Sequence, residues 1–328
     1  MSRVGFTTSI PVEILYAGGR VPVDLNNVFI ASENPAEYIR RAEADGFPRN
    51  SCGWIKGIYG VVRGDGFREV IAVAQGDCSF TQALMEVLRY RGVGVAPFSF
   101  PFDRDPQFLL LELEKMASRY GTTVRDAEEW KARLDRVRSI AHEIDRLTWQ
   151  EGKVTGEENH RWLVACSDFD GDPDGYARRA QAFLDAASTR LPMEGAVPVA
   201  FVGVPPIVSG LHACFEEAGA RIVLNEVQRQ FSMPAPTGSL VEQYLAYTYP
   251  YSFFERLSDI RTEVSRRGAR GVVHYVQSFC FRQIEDILLR GEVGVPVLTL
   301  EGDQPGPVDE RTRIRVQAFV EMLTTPRS

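Results

Sequence analysis

The chain has 328 residues, 44% apolar and 25% charged; at about 100 to 200 residues per domain this suggests two folded domains with cores large enough to need no disulfides or structural zinc. A formal charge of −7 argues against a general nucleic-acid or anionic-membrane surface and leaves room only for a local basic pocket. No run approaches 18 apolar residues, which excludes a transmembrane helix, and MSRVGFTTSIPVEILYAGG is a poor signal peptide with Glu13 inside its apolar stretch, so a cytoplasmic location is expected.

Ile10 to Ala17 reads as a helix with Pro11 in its first turn, ended by Gly18-Gly19, and Arg20 to Leu25 as a short strand. Ile55 to Val62 is helix-like. Glu69 to Ala74 is a β-rich run stopped by Gln75-Gly76-Asp77-Cys78, and Ser79-x-x-Gln82 reads as a capping box for the helix that follows. The continuous apolar run Val93 to Phe98 suits a parallel strand covered on both faces. Helices are expected over Pro106 to Tyr120 and Val124 to Trp149, with a third starting at the capping box Thr155-x-x-Glu158. Asp168 to Gly175 resembles a calcium loop only superficially, because Arg179 stands where the twelfth-position glutamate belongs; a solvated turn is expected, followed by helix from Tyr176 to Ser188.

The second half repeats this grammar. Strands are expected at 197–205, 220–225, 271–277 and 295–301, and helices at 210–219, 254–268, 281–291 and 309–323. The fold class is therefore α/β: two domains, 1–165 and 166–328, each a small parallel sheet flanked by helices and joined by a helical segment, with the ligand site expected in the cleft between them.

Five cysteines form no C-x-x-C pair, and in a reducing compartment they are thiols or metal ligands rather than disulfides. Cys78 and Cys280 each follow a strand and precede a helix, and Cys52 sits in a turn before a helix-like segment. Helix N-termini favour thiolates. Spacings of this kind are not a metal signature: one shared site, three unrelated packing thiols and a single reactive cysteine all remain open. Cys166 and Cys214 lie in apolar helical patterns and read as core thiols. His212 and His274 show no carboxylate partner by spacing, and VGVPPIVSG (202–210) lacks a G-x-G-x-x-G or G-K-[ST], so nucleotide binding has little support.

The segments IPVEILYAGGRVPVDL (10–25), NSCGWIKGIYG (50–60), GDCSFTQALMEVL (76–88), VVHYVQSFCFRQIEDILL and VPVLTLEGDQPGPVDERTRIRVQAFVEML (294–322) occur in an order that resembles the 2-hydroxyacyl-CoA dehydratase and benzoyl-CoA reductase iron–sulfur family. The resemblance implies a [4Fe–4S] cluster held by Cys52, Cys78 and Cys280, with one iron open. It implies one-electron radical chemistry on an acyl-CoA thioester, as a dehydratase (a lyase) or a reductase. It also implies a homodimer or a heterodimer with a homologous subunit, and a separate ATP-dependent iron–sulfur activator protein. Ser9 matches a position whose hydroxyl faces the cleft and the open iron, a plain helix cap being the other reading. Glu13 matches a position for proton transfer or support of the site, a salt bridge or hydrogen bond at the domain surface being the other. Gln75 and Gln277 stand where amides could donate to cluster sulfur. Alternatives are a non-catalytic electron-relay or partner subunit, or a relative of the double-cubane small-molecule reductases, whose six or so ligands exceed the five cysteines here.

Overall fold

The structure is a computed structural model and describes residues 2–325. Ten strands run β1 (Arg3–Phe6), β2 (Val21–Asp24), β3 (Glu69–Gln75), β4 (Gly94–Ser99), β5 (Val197–Gly203), β6 (Val208–Ser209), β7 (Ala220–Asn225), β8 (Gly271–Gln277), β9 (Val297–Gly302) and β10 (Gly306–Pro307). They make two four-stranded sheets, ordered β2-β1-β3-β4 and β7-β5-β8-β9, and a two-stranded β10-β6 ribbon. All pairings are parallel. The two sheets share one topology: in each, the first strand lies between the second and the third, and the order reverses there.

The sequence expectation of three strands in the first half missed β1, which precedes the Ile10 helix and pairs along its length with β2 and through Gly5 and Phe6 with β3. Four residues, RVGF, are too few to display a period.

Alternation builds the cores. Along β3, Ile71 and Val73 face one helical layer while Val70 and Ala72 face the other. One layer is made of Leu25–Ala31, Gly53–Gly64 and Phe80–Tyr90. The opposite layer is larger. It takes in Val12–Ala17, Pro106–Arg119, the long helix Val124–Trp149, Pro173–Ser188 and the tyrosines of residues 244–251. The second sheet is covered on one face by Leu211–Glu217 and Glu310–Thr324, and on the other by Phe253–Arg266. No helix among the described residues is long and apolar enough to cross a membrane.

Two local expectations are corrected. Ser79 is already in the helical conformation and its hydroxyl caps nothing, so the expected capping box does not form; Thr155–Glu158 forms one, as does Thr123–Asp126. The Asp168–Gly175 stretch is only partly solvated: Asp168 and Phe169 are buried, and Asp168 Oδ2 accepts the Asp24 backbone N–H at 2.7 Å.

Candidate functional site

Parallel sheets leave the carboxyl ends of their strands open where the strand order reverses, and ligands bind there. A single pocket lies at both reversal points. The first sheet supplies Thr7–Ser9 after β1 and Asp77–Cys78 after β3, together with Asp24–Asn27 after β2; the second supplies Val204–Pro206 after β5 and Gln277–Arg282 after β8. Cys52, Trp54, Ile55 and Ile58 close it from the helix Gly53–Gly64, and His160 and Val164 from the helix Gly156–Val164. The halves meet closely. A Cβ on Gly53 would come 2.5 Å from the Asp303 carbonyl oxygen, which also accepts from Gln277 Nε2 at 2.7 Å.

Cys52, Cys78, Cys280 and Ser9 all line this pocket. Cys52 is buried, and Cys78 and Cys280 half-buried. Burial pushes the Cys52 thiol up to about 11 and Cys78 up to about 12, and raises Cys280. Backbone amides work against that: the N–H groups of Ile55 and Trp54 point at Cys52, that of Phe80 at Cys78 and that of Arg282 at Cys280. Each thiol sits at the start of a helical turn and receives the amide two or three residues on, which is what an orphan N–H at a helix start offers. Among the described residues no group of three or more His, Cys, Asp or Glu is arranged to hold a single metal ion. Cys166 and Cys214 are 1% and 3% exposed and do not line the pocket.

Ser9 is 4% exposed, and its hydroxyl has no hydrogen-bond partner and does not cap the following helix. Glu13, expected near it, lies elsewhere. It is fully buried, pairs with Arg138 at 2.7 Å, accepts from Gln243 at 2.8 Å and stands 2.8 Å from the Tyr244 hydroxyl. The Tyr244 hydroxyl is also 2.9 Å from the Ile10 carbonyl oxygen, so this knot holds the loop that carries Ser9. Gln277 lines the pocket with an unpartnered Oε1, whereas Gln75 is exposed and takes no part.

His212 and His274 are core histidines, each 1% exposed, and they find carboxylates that local spacing did not show: His274 Nδ1 is 2.8 Å from Asp286 and His212 Nδ1 3.2 Å from Glu157, supplied by other elements. Sequence reading missed Asp24, Asn26, Asn27, Asp77, His160 and Arg282 as lining residues. Burial raises Asp77 to about 6, even beside Arg282, and raises Asp24. Asp77 and Arg282 neighbour the cysteines and were within reach of a sequence argument; His160 was not, because only tertiary packing brings its helix to the pocket.

Comparison with curated proteins finds no match. The family model for the D-component of 2-hydroxyglutaryl-CoA dehydratase matches residues 7–323, which takes in every strand after β1 and every residue that lines the pocket. The chain belongs to the family of the 2-hydroxyglutaryl-CoA dehydratase D-component.

Proposed function

We propose that the chain is the iron–sulfur subunit of a 2-hydroxyacyl-CoA dehydratase-like or acyl-CoA reductase-like enzyme, with a [4Fe–4S] cluster bound by Cys52, Cys78 and Cys280. The observation that carries this is the convergence of three thiols, from three loops of two sheets, on one pocket that also holds the unpartnered Ser9 hydroxyl. Three thiols from three separate loops suit a cluster, whose thiolates each take a different iron. Bound there, a cluster with three protein thiolates supplies one-electron chemistry and an open coordination position.

The chain's own residues do the rest. The amides of Trp54, Ile55, Phe80 and Arg282 stabilise the thiolates that burial alone would protonate. Trp54, Ile55, Ile58 and Phe231 keep water from the pocket, and Ser9 offers a hydroxyl to a bound ligand. Glu13 acts through Tyr244, holding the Ser9 loop rather than touching a ligand. In this reading the pocket is the cleft between domains 1–165 and 166–328. The helix Pro173–Ser188, beyond that boundary, packs on the core of the first sheet.

Phe279, Phe281, Ile284 and Ile287 beside Cys280 are 43–72% exposed, and an apolar patch at a pocket rim favours a covering subunit, a second copy or a homologue. An ATP-dependent activator would deliver the electron, and the acyl-CoA is the substrate. The test is anaerobic purification with iron and sulfide analysis. About four irons per chain are expected, lost in Cys52→Ser, Cys78→Ser and Cys280→Ser and kept in Cys166→Ala and Cys214→Ala. Folded, iron-free wild-type protein after anaerobic reconstitution overturns the reading.

A further inference from the structure

We infer that the pocket takes an uncharged acyl group, apolar or hydroxylated, with the His160 imidazole as its hydrogen-bonding contact, and turns away an acyl group carrying a second carboxylate; this rests on the acyl-CoA reading above. The charges around the pocket decide it. Besides the thiols, the ionisable side chains lining it among the described residues are Asp24, Asp77, His160, Tyr249 and Arg282, with no lysine among them. Arg282 is the one guanidinium among them, and the fold already uses it: Nη1 donates to Glu285 at 3.0 Å, Nη2 donates to the Tyr249 carbonyl at 3.1 Å, and its charge faces Asp77.

The amide donors are engaged as well, which leaves the uncharged Ser9 hydroxyl and Trp54 indole N–H without partners. Asn26 Nδ2 donates to the Thr7 carbonyl and to Asp24, both at 2.8 Å, and Asn27 Nδ2 donates to Ser167 at 3.1 Å. A carboxylate entering here would lose water, meet two acidic side chains and find no free cation. An apolar chain meets Ile30, Val164, Val227 and Phe231 instead.

His160 supplies the polar contact. It and Val164 are one helical turn apart and line the pocket together. Gln228 Nε2 stands 2.9 Å from His160 Nδ1 and donates to it, so the ring proton is on Nε2, free to donate to a hydroxyl or carbonyl oxygen. Burial, the neighbouring His212 and Arg161 hold this imidazole down to about 3, so it is neutral at physiological pH and offers no charge to a carboxylate.

The test is calorimetric titration of the cluster-loaded protein at pH 7.5 with pentanoyl-CoA, 5-hydroxypentanoyl-CoA and glutaryl-CoA. Pentanoyl-CoA is expected to bind at least about 30-fold more tightly than glutaryl-CoA, the scale of an uncompensated buried charge. Asp24→Asn, which keeps a helix-capping side chain, is expected to narrow that ratio about tenfold. His160→Phe is expected to weaken 5-hydroxypentanoyl-CoA about tenfold more than pentanoyl-CoA. Equal or tighter glutaryl-CoA binding overturns the charge rule, and equal losses for the two uncharged esters in His160→Phe overturn the imidazole contact. If no ester binds better than free CoA, the acyl-CoA reading falls by itself. The charge rule is then read with pentanamide and glutarate by saturation-transfer NMR, where equal signals from the two overturn it.

Discussion

The two sheets share a strand order, but apart from the Glu13–Arg138 pair in its helical layer the first treats its buried acidic side chains oppositely to the second. At the open end of the first sheet, Asp24 and Asp168 are buried against neutral partners: Asn26 donates to Asp24, and the backbone N–H groups of Asp24 and Asp170 donate to Asp168. Burial, with the Asp24 charge next, raises Asp168 to about 7. Around the second sheet the acids are matched by arginines. Glu226 holds Arg256 at 2.6 Å with both side chains 1% exposed, and Glu285 reaches both Arg256 and Arg282. Glu263 is brought down to about 2 by Arg266, Arg229 and Arg267, against the opposing effect of its burial. Paired acids stabilise the fold and ask nothing further of a ligand. Unpaired ones at a strand end set the electrostatics of a pocket, and that contrast marks the first sheet's edge as the functional one.

The strongest way to break this contrast is Arg256→Met. It leaves the Glu226 carboxyl buried with only the Gly203 N–H to answer it and should cost about 3–5 kcal/mol, read as a lower urea midpoint. Adding Glu226→Gln should restore much of the loss. A loss under about 1 kcal/mol in the single variant would mean that the second sheet's pairs are not what stabilises it.

Next in size is the pH dependence of the first sheet. A carboxyl raised to about 7 in the folded protein binds its proton more tightly there than in the unfolded chain. Its contribution is therefore fully present below about pH 4 and is lost as pH rises through 7, on the order of 2–4 kcal/mol. Asp24 adds in the same direction. Denaturant titrations at pH 5 and pH 8 should show this loss in the wild type and a flatter profile in Asp168→Asn. A steeper profile in the variant would reverse the assignment.

The smallest effect sharpens the boundary. Arg290 pairs with Asp286 at 2.5 Å but its side chain is 46% exposed, so Arg290→Gln should change stability by about 0.5 kcal/mol or less. A thermal melt showing a loss like that of Arg256→Met would extend the paired network to the surface.

Most of the architecture was legible because buried parallel strands are continuous apolar runs: EVIAVA and GVVHYVQ leave little alternative. The elements that escaped were short or polar. Pro35–Ala44 carries four charged residues in ten and buries only Ile39 and Ala42, and Glu226–Phe231 is a six-residue helix with Glu226 buried. Position marked Cys78 and Cys280 at junctions where a strand ends and a helix begins and Cys52 in a turn before a helix, but left open whether they share a site; the fold brings all three to one pocket. Glu13 was legible as an anomaly, a charge in an apolar stretch, but its partner Arg138 lies 125 residues away and no local pattern announces it. His160 fell between these cases: buried Asn159 beside it is a polar residue on a core-facing helix, a sign of a specialised face that periodicity alone does not interpret.

The Glu13 knot bears on how the chain is made. Its bonds to Gln243 and Tyr244 join residues 230 and 231 positions apart, and Tyr247, Tyr249 and Tyr251 belong to the same core as β1. Emerging from a ribosome at about 5–20 residues per second, the N-terminal segment waits roughly 10–50 s for these partners. Throughout that interval Glu13 has no finished burial site and the helices that cover β1 lack part of their packing. The N-terminal sheet thus completes late, after two of the second sheet's four strands have been synthesised, and until then part of its apolar surface stays uncovered.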